Sequence, residues 1–130
     1  MTPEAETILL NKLTAVIRDL RDHGADDGEA MFILGAGADY LCQTAEVATW
    51  PALKARLNAT EKLGLLAQID KEGQAATGTG KVKLAYALQI LGLSVTATAT
   101  ENDHIRAAAG LLDDLIVPAL DNYRRHATRN

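Results

Sequence analysis

A glycine-rich stretch near the middle of the chain is the first place where residue types and spacing suggest chemistry. Residues 75–82 read AATGTGKV, so Gly80 and Lys81 match the last glycine and the lysine of the phosphate-binding pattern G-x-x-x-x-G-K-[ST]. In that pattern the hydroxyl that follows the lysine binds Mg²⁺. Here Ala75 stands at the first glycine position and Val82 at the hydroxyl position, so the metal-binding group is missing.

The same stretch resembles the ATGTGK loops of helicase-type ATPases over about seven residues. That resemblance implies an ATP site with bound Mg²⁺, in a loop that follows a buried strand. The preceding residues, LGLLAQIDKEG, instead have the apolar spacing of a helix, and the residues that follow also read as helix. We therefore expect a helix–helix connection in which Thr77, Gly78 and Thr79 turn the chain and Thr79 caps the next helix.

A second glycine pattern, FILGAGADYL at residues 32–41, resembles the first turn of a dinucleotide-binding fold. Gly35 and Gly37 match G-x-G-x-x-G, but the third position is Tyr40, whose ring would prevent close contact between helix and sheet. Small residues also allow two helices to cross closely. We expect the glycines of this segment to allow such a close helix crossing. The alternative is a small-ligand or nucleotide site built from Gly35 and Gly78–Lys81.

Metal-ligating patterns are incomplete in this sequence. Glu101-x-x-His104 has the carboxylate–histidine spacing of di-iron bundles, but those sites need a second such motif and further glutamates on facing helices. Cys42 is the one cysteine, which excludes an internal disulfide and every metal site with several cysteines. It lies among apolar residues, and we expect it to pack as a small hydrophobic side chain. The sequence predicts neither a metal nor a cofactor.

Groups for nucleophilic or acid–base catalysis are equally sparse. Ser94 is the only serine, and the sequence gives it no identifiable histidine or aspartate partner. Asp113 and Asp114 are adjacent on a predicted helix, so their side chains point about 100° apart and cannot form a catalytic pair alone. A solvated helix face is the simplest interpretation of these two aspartates. We therefore predict no catalytic residue and no enzyme activity.

Charge and hydropathy exclude several partners. The formal charge of −4 argues against broad attraction to nucleic acid or anionic membranes. Residues 83–102 have the rhythm of a helix-turn-helix motif, but Val95–Asp103 contains no lysine or arginine to contact phosphates. No stretch approaches the roughly 18 apolar residues of a membrane helix, and the N-terminus lacks signal-peptide features. We expect a bacterial-type, cytoplasmic protein, with nucleic-acid regulation as a third possibility for its function.

Apolar spacing predicts one all-α domain over residues 1–130, a bundle of about five helices. Thr2 is expected to cap the first helix, Thr49 the third, and Thr100 the last, in which Pro118 should introduce a kink. Residues 30–34 (AMFIL) fit either a helix or a buried strand, and we prefer a helix because no convincing partner strand exists.

Smaller features of the apolar pattern are also predictions. Residues 94–100 (SVTATAT) are the one strand candidate, and an extended linker fits them equally well. In the helix that follows residue 58, we expect Leu63, Leu66 and Ile69 to point inward. In the next helix, Val82 is expected on the apolar face.

By exclusion, these features favour a non-enzymatic helical interaction module that acts as a regulator, adaptor or assembly factor. Acidic and basic residues are segregated: residues 22–51 carry six acids and no lysine or arginine, and residues 54–83 carry six bases against three acids. The second helix is apolar around much of its circumference, so it should be central in the bundle or covered by a second copy. We expect a homodimer, in which the candidate interface residues are Phe32, Gly37, Tyr40, Leu41 and Trp50. For Trp50, which lies at a helix junction, burial in the core is the favoured interpretation and the interface is the alternative.

Overall fold

The computed structural model describes residues 2–19, 28–98 and 102–127, which form six helices and no strand. The helices are α1 (Pro3–Asp19), α2 (Gly28–Thr44), α3 (Trp50–Arg56), α4 (Ala59–Gly78), α5 (Val82–Ala97) and α6 (Asp103–Ala127). The all-α prediction is confirmed, and residues 30–34 are helical within α2. No helix in the described ranges is long and apolar enough to cross a membrane.

Side-chain caps determine where several helices begin. The Thr2 hydroxyl accepts from the Ala5 backbone N–H at 3.2 Å, and the Thr49 hydroxyl caps α3 as predicted. Asn58 and Glu61 form a reciprocal capping box at the start of α4. At α6, Asn102 Oδ1 accepts from two backbone N–H groups of the first turn. The predicted cap, Thr100, lies outside the described residues.

The glycine-rich stretch is mostly helix. α4 continues to Gly78, and the connection to α5 is a Schellman motif in which Gly80 adopts a φ of 76°. Its two hydrogen bonds run from Lys81 N to Ala76 O at 2.8 Å and from Gly80 N to Thr77 O at 3.2 Å. The predicted connection was therefore placed too early, and Thr79 caps the end of α4 rather than the start of α5. Gly80 is required because its backbone is left-handed.

The prediction of a strand or linker at residues 94–100 is wrong for residues 94–98, which the structure describes. Residues 94–97 complete α5, Thr98 caps its end, and residues 99–100 lie outside the description. Ser94, Val95 and Ala97 are all buried. Burial on three sides of a helix therefore outweighs the β-propensity of valine and threonine.

Helix α5 is the enclosed element of the bundle, since α1, α2, α4 and α6 all pack against it. The sequence predicted that α2 is central in the bundle or covered by a second copy, and the enclosed helix is α5 instead. α2 packs against α5 and α6, which already bury Leu34, Ala38, Leu41 and Cys42. The two long helices α5 and α6 therefore cover this face of α2 within one chain.

Glycine permits the closest helix crossing, as the sequence predicts. A Cβ added at Gly35 in α2 would lie 2.1 Å from the Ala119 backbone oxygen in α6. One added at Gly37 would lie 3.1 Å from Leu91 Cδ1 in α5, which is tight but involves a flexible side-chain end. α6 continues through Pro118 and packs against α1, α2 and α5.

Gly35→Ala should therefore destabilise the fold by about 3 kcal/mol, because the methyl group meets backbone that cannot rotate away. Gly110→Ala is the matched control: its Cβ would enter open space on α6, and the substitution should stabilise the helix by about 0.5–1 kcal/mol. Urea unfolding of both variants measures the difference. Equal stability of Gly35→Ala and the parent would contradict the close crossing.

Candidate functional site

A buried polar cluster joins three helices that are distant in sequence. Lys54 of α3 contacts Asp113 of α6 at 2.5 Å and Ser94 of α5 at 3.1 Å. Ser94 donates its hydroxyl to Asp113 at 2.7 Å, and Trp50 Nε1 donates to Ser94 at 3.1 Å. The interpretation of Asp113 as part of a solvated face is therefore wrong, whereas Asp114 is exposed.

This cluster has the residue types of a serine–lysine nucleophile pair, but its geometry is structural. Ser94 is 0% exposed and Lys54 is 8% exposed, so a substrate cannot reach the hydroxyl. The Lys54 ammonium is already engaged by the Asp113 carboxylate and the Ser94 hydroxyl. No buried side-chain polar atom of the described residues lacks a partner. The cluster fixes the short helix α3 against α5 and α6.

A second polar group holds the turn between α2 and α3. Arg124 of α6 bonds Asp39 at 2.8 Å and also donates to the Ala48 carbonyl. Arg56 donates to the Ala45 carbonyl at 2.6 Å. Arg124, in the last turn of α6, thus connects that helix to α2 and to the segment that follows it. These contacts orient Trp50 towards the core, where it is fully buried.

Cys42 is free and buried, as expected for a cysteine that packs as a hydrophobic side chain. Burial is the largest influence on its thiol and raises the pKa above its usual value, and the Asp39 carboxylate acts in the same direction. The charge of Arg124 acts in the opposite direction, and its influence on the thiol is smaller than that of burial but larger than that of Asp39. A reactive thiolate is not favoured here.

The predicted interface residues separate into two groups. Phe32 and Tyr40 on α2 are 42% and 54% exposed, and Phe32 packs edge-on against Tyr123 at a centroid distance of 5.0 Å. Leu41 and Trp50 are buried, and Gly37 faces Leu91 inside the chain. In this conformation only the two aromatic residues offer surface to a partner.

An open groove of about 860 Å³ runs over α5, between α4 and α1. On one side of α5, Gly92 faces Ile69 of α4, since an added Cβ would lie 3.4 Å from Ile69 Cγ2. On the other side, the Tyr86 hydroxyl donates to the Val16 carbonyl of α1 at 3.4 Å. Between these contacts, the floor of the groove is formed by Ala85, Gln89 and Thr96.

Beyond the residues that line the groove, α4 also carries the most exposed leucine of the chain's described residues. Leu63 is 69% exposed, contrary to the prediction that it points inward, whereas Leu66 is half-buried and Ile69 is buried as expected. Leu63, Leu66 and Asp70 recur at helical spacing and share one face of α4. Val82, at the groove's end, is 72% exposed, so its predicted core position is also wrong.

Two charged side chains line the groove from different helices. Lys12 belongs to α1, and Asp70 belongs to α4, where it accepts a hydrogen bond from Gln74 at 3.1 Å. Neither forms an ion pair with another described residue, whereas Glu29 and Lys83 pair at 2.9 Å across the segregated acidic and basic segments. The groove thus has a cation on one side and an anion on the other. The sequence did not predict that Lys12 and Asp70 line one groove, because this depends on α1 lying beside α5.

Metal ligands do not gather in the described parts of the chain: no group of three or more His, Cys, Asp or Glu side chains could hold an ion. His104 is exposed, and Glu101 lies outside the described residues.

Comparisons of this chain with protein families, with curated proteins and with solved structures give no match.

The structural interpretation of the buried cluster predicts a mutational pattern. Lys54→Met should destabilise the protein by about 2–3 kcal/mol, because it leaves the Asp113 carboxylate without its cation. Lys54→Met combined with Asp113→Leu should recover most of that loss, since no unpaired charge remains. Urea unfolding compares the two variants. A double variant that is less stable than Lys54→Met alone would contradict this interpretation.

Proposed function

We propose that this protein is a non-enzymatic helical interaction module that self-associates through the face formed by α4 and the adjacent groove. The observation that supports this is Leu63, a large apolar side chain that is 69% exposed on the face of α4 that it shares with the groove-lining residues Leu66 and Asp70. Full burial of a leucine contributes about 1.5–3 kcal/mol, so a second chain on this face would be stabilised by covering it. The module would act as a regulator, adaptor or assembly factor in a bacterial-type cytoplasm.

The size of the groove sets the expected strength of association. Sixteen residues line it, compared with about 20–30 residues on each side of a standard stable interface. We therefore expect a reversible dimer with a dissociation constant on the order of micromolar. Because its centre is apolar, association should persist at high salt and weaken only modestly.

The exposed face of α2 is a less favourable docking surface. Phe32 already packs against Tyr123, and most other apolar side chains of α2 are buried within the chain. Tyr40 retains a hydroxyl that water can satisfy. This face therefore supports the dimer proposed from the sequence less well than α4 does.

A small-ligand site is the second candidate function, because Thr77 and Gly78 of the glycine-rich stretch lie on the groove wall. The volume of about 860 Å³ falls within the roughly 300–1,000 Å³ of ligand pockets. Lys81 does not line this groove, so the phosphate-binding residue of the motif would not contact such a ligand. The long, open form of the groove suits a helix better than an enclosed small molecule.

Leu63→Ser should convert a micromolar dimer into a monomer without lowering the melting temperature, because the side chain is exposed in the single chain. The matched control is Leu111→Ser on α6, where a leucine that is 47% exposed lies away from the groove. Sedimentation velocity at micromolar concentration, in low and high salt, measures the association of both variants.

A parent protein that stays monomeric in both salts contradicts the proposed function. If the Phe32→Ser/Tyr40→Ser variant loses the dimer while the Leu63→Ser variant keeps it, the interface lies on α2 and not on α4.

A further inference from the structure

The face around α4 has the form that a twofold interface requires. In an isologous dimer the same surface meets itself, so each projecting element needs a recess beside it on the same chain. α4 projects because it packs mainly against α5, and the groove lies directly beside it. One copy's α4 can therefore lie in the groove of the other while receiving its partner's α4 in return.

The dimensions of the groove fit a helix. Its α5 side extends from Val82 to Thr96, which corresponds to about 20 Å at the rise of an α-helix. The outward face of α4 from Leu63 to Thr77 has a similar length. Small side chains at Ala85 and Thr96 on the floor allow an approaching helix to pack closely.

The charges of the groove complement each other under the same rotation. Asp70 lies on the projecting helix, and Lys12 lies on the opposite side of the groove that receives this helix. A twofold axis carries the Asp70 of each copy towards the Lys12 of the other, so one chain supplies both halves of two equivalent ion pairs. Within one chain, neither side chain has an ion-pair partner among the described residues.

We propose that two copies of this chain dock about a twofold axis, with α4 of each copy in the groove of the other, so that Lys12 of each pairs with Asp70 of its partner. This arrangement rests on the proposed self-association and names the residues that carry it. It also buries Leu63 and Leu66, which share the α4 face with Asp70.

Charge exchange between chains tests the arrangement directly. Lys12→Glu places two acids at each contact, and Asp70→Lys places two bases there, so each variant alone should dimerise roughly tenfold more weakly than the parent. An equimolar mixture of the two variants should regain parental affinity, because every contact in the mixed dimer joins an acid and a base. The variant Lys12→Glu/Asp70→Lys should regain it as a homodimer. Lys71→Glu, an exposed change of equal charge outside the groove, is the matched control and should have little effect.

Sedimentation equilibrium of each sample gives its dissociation constant, and circular dichroism verifies that these exposed substitutions leave the fold intact. Recovery in the mixture and in the double variant supports the twofold contact. Either of two results overturns this arrangement: equal weakening by Lys12→Glu and Lys71→Glu, or a mixture that dimerises as weakly as its components. In both cases a dimeric parent still supports the proposed function. A monomeric parent overturns both.

Discussion

Helix α5 is apolar around most of its circumference, and the rest of the bundle depends on covering it. α1, α2 and α6 share contacts among themselves as well as with α5, so they form a mutually supported layer around it. α4 completes the cover but packs mainly against α5 alone. A helix held along one side necessarily leaves its other side outward, which explains why Leu63 is exposed and why an open groove lies between α4 and α1.

Polar side chains determine how the peripheral segments attach to this apolar core. The ion pair to Asp113 adds to the burial of Trp50 and Leu53 in holding the seven-residue α3, which needs such tertiary contacts because isolated helices of this length are marginal in water. The Lys54–Asp113 ion pair is compatible with burial because the second carboxylate oxygen of Asp113 accepts hydrogen bonds from the Ser94 hydroxyl and from Trp50 Nε1. The residue types of a catalytic site can therefore occur together for a structural reason, and access to solvent distinguishes the two cases.

The sequence was sufficient for features that local physics determines. The helix cap at Thr49, the close crossing at Gly35 and the burial of Trp50 follow from propensity, size or composition. Features that depend on which helices become neighbours were not accessible. Asp113 looks like a surface residue until α3 is placed beside α6, and the groove between Lys12 and Asp70 exists only once α1 and α4 flank α5.

The central claim is that α4 is the incompletely covered helix and that a second copy covers it. Hydrogen exchange measured by mass spectrometry at low and high protein concentration tests this claim most directly, because amide protection reports local opening. The account predicts that exchange in residues 59–78 slows as concentration rises, whereas exchange in residues 28–44 stays unchanged. Concentration-dependent protection confined to residues 28–44, or none anywhere in the chain, would contradict it.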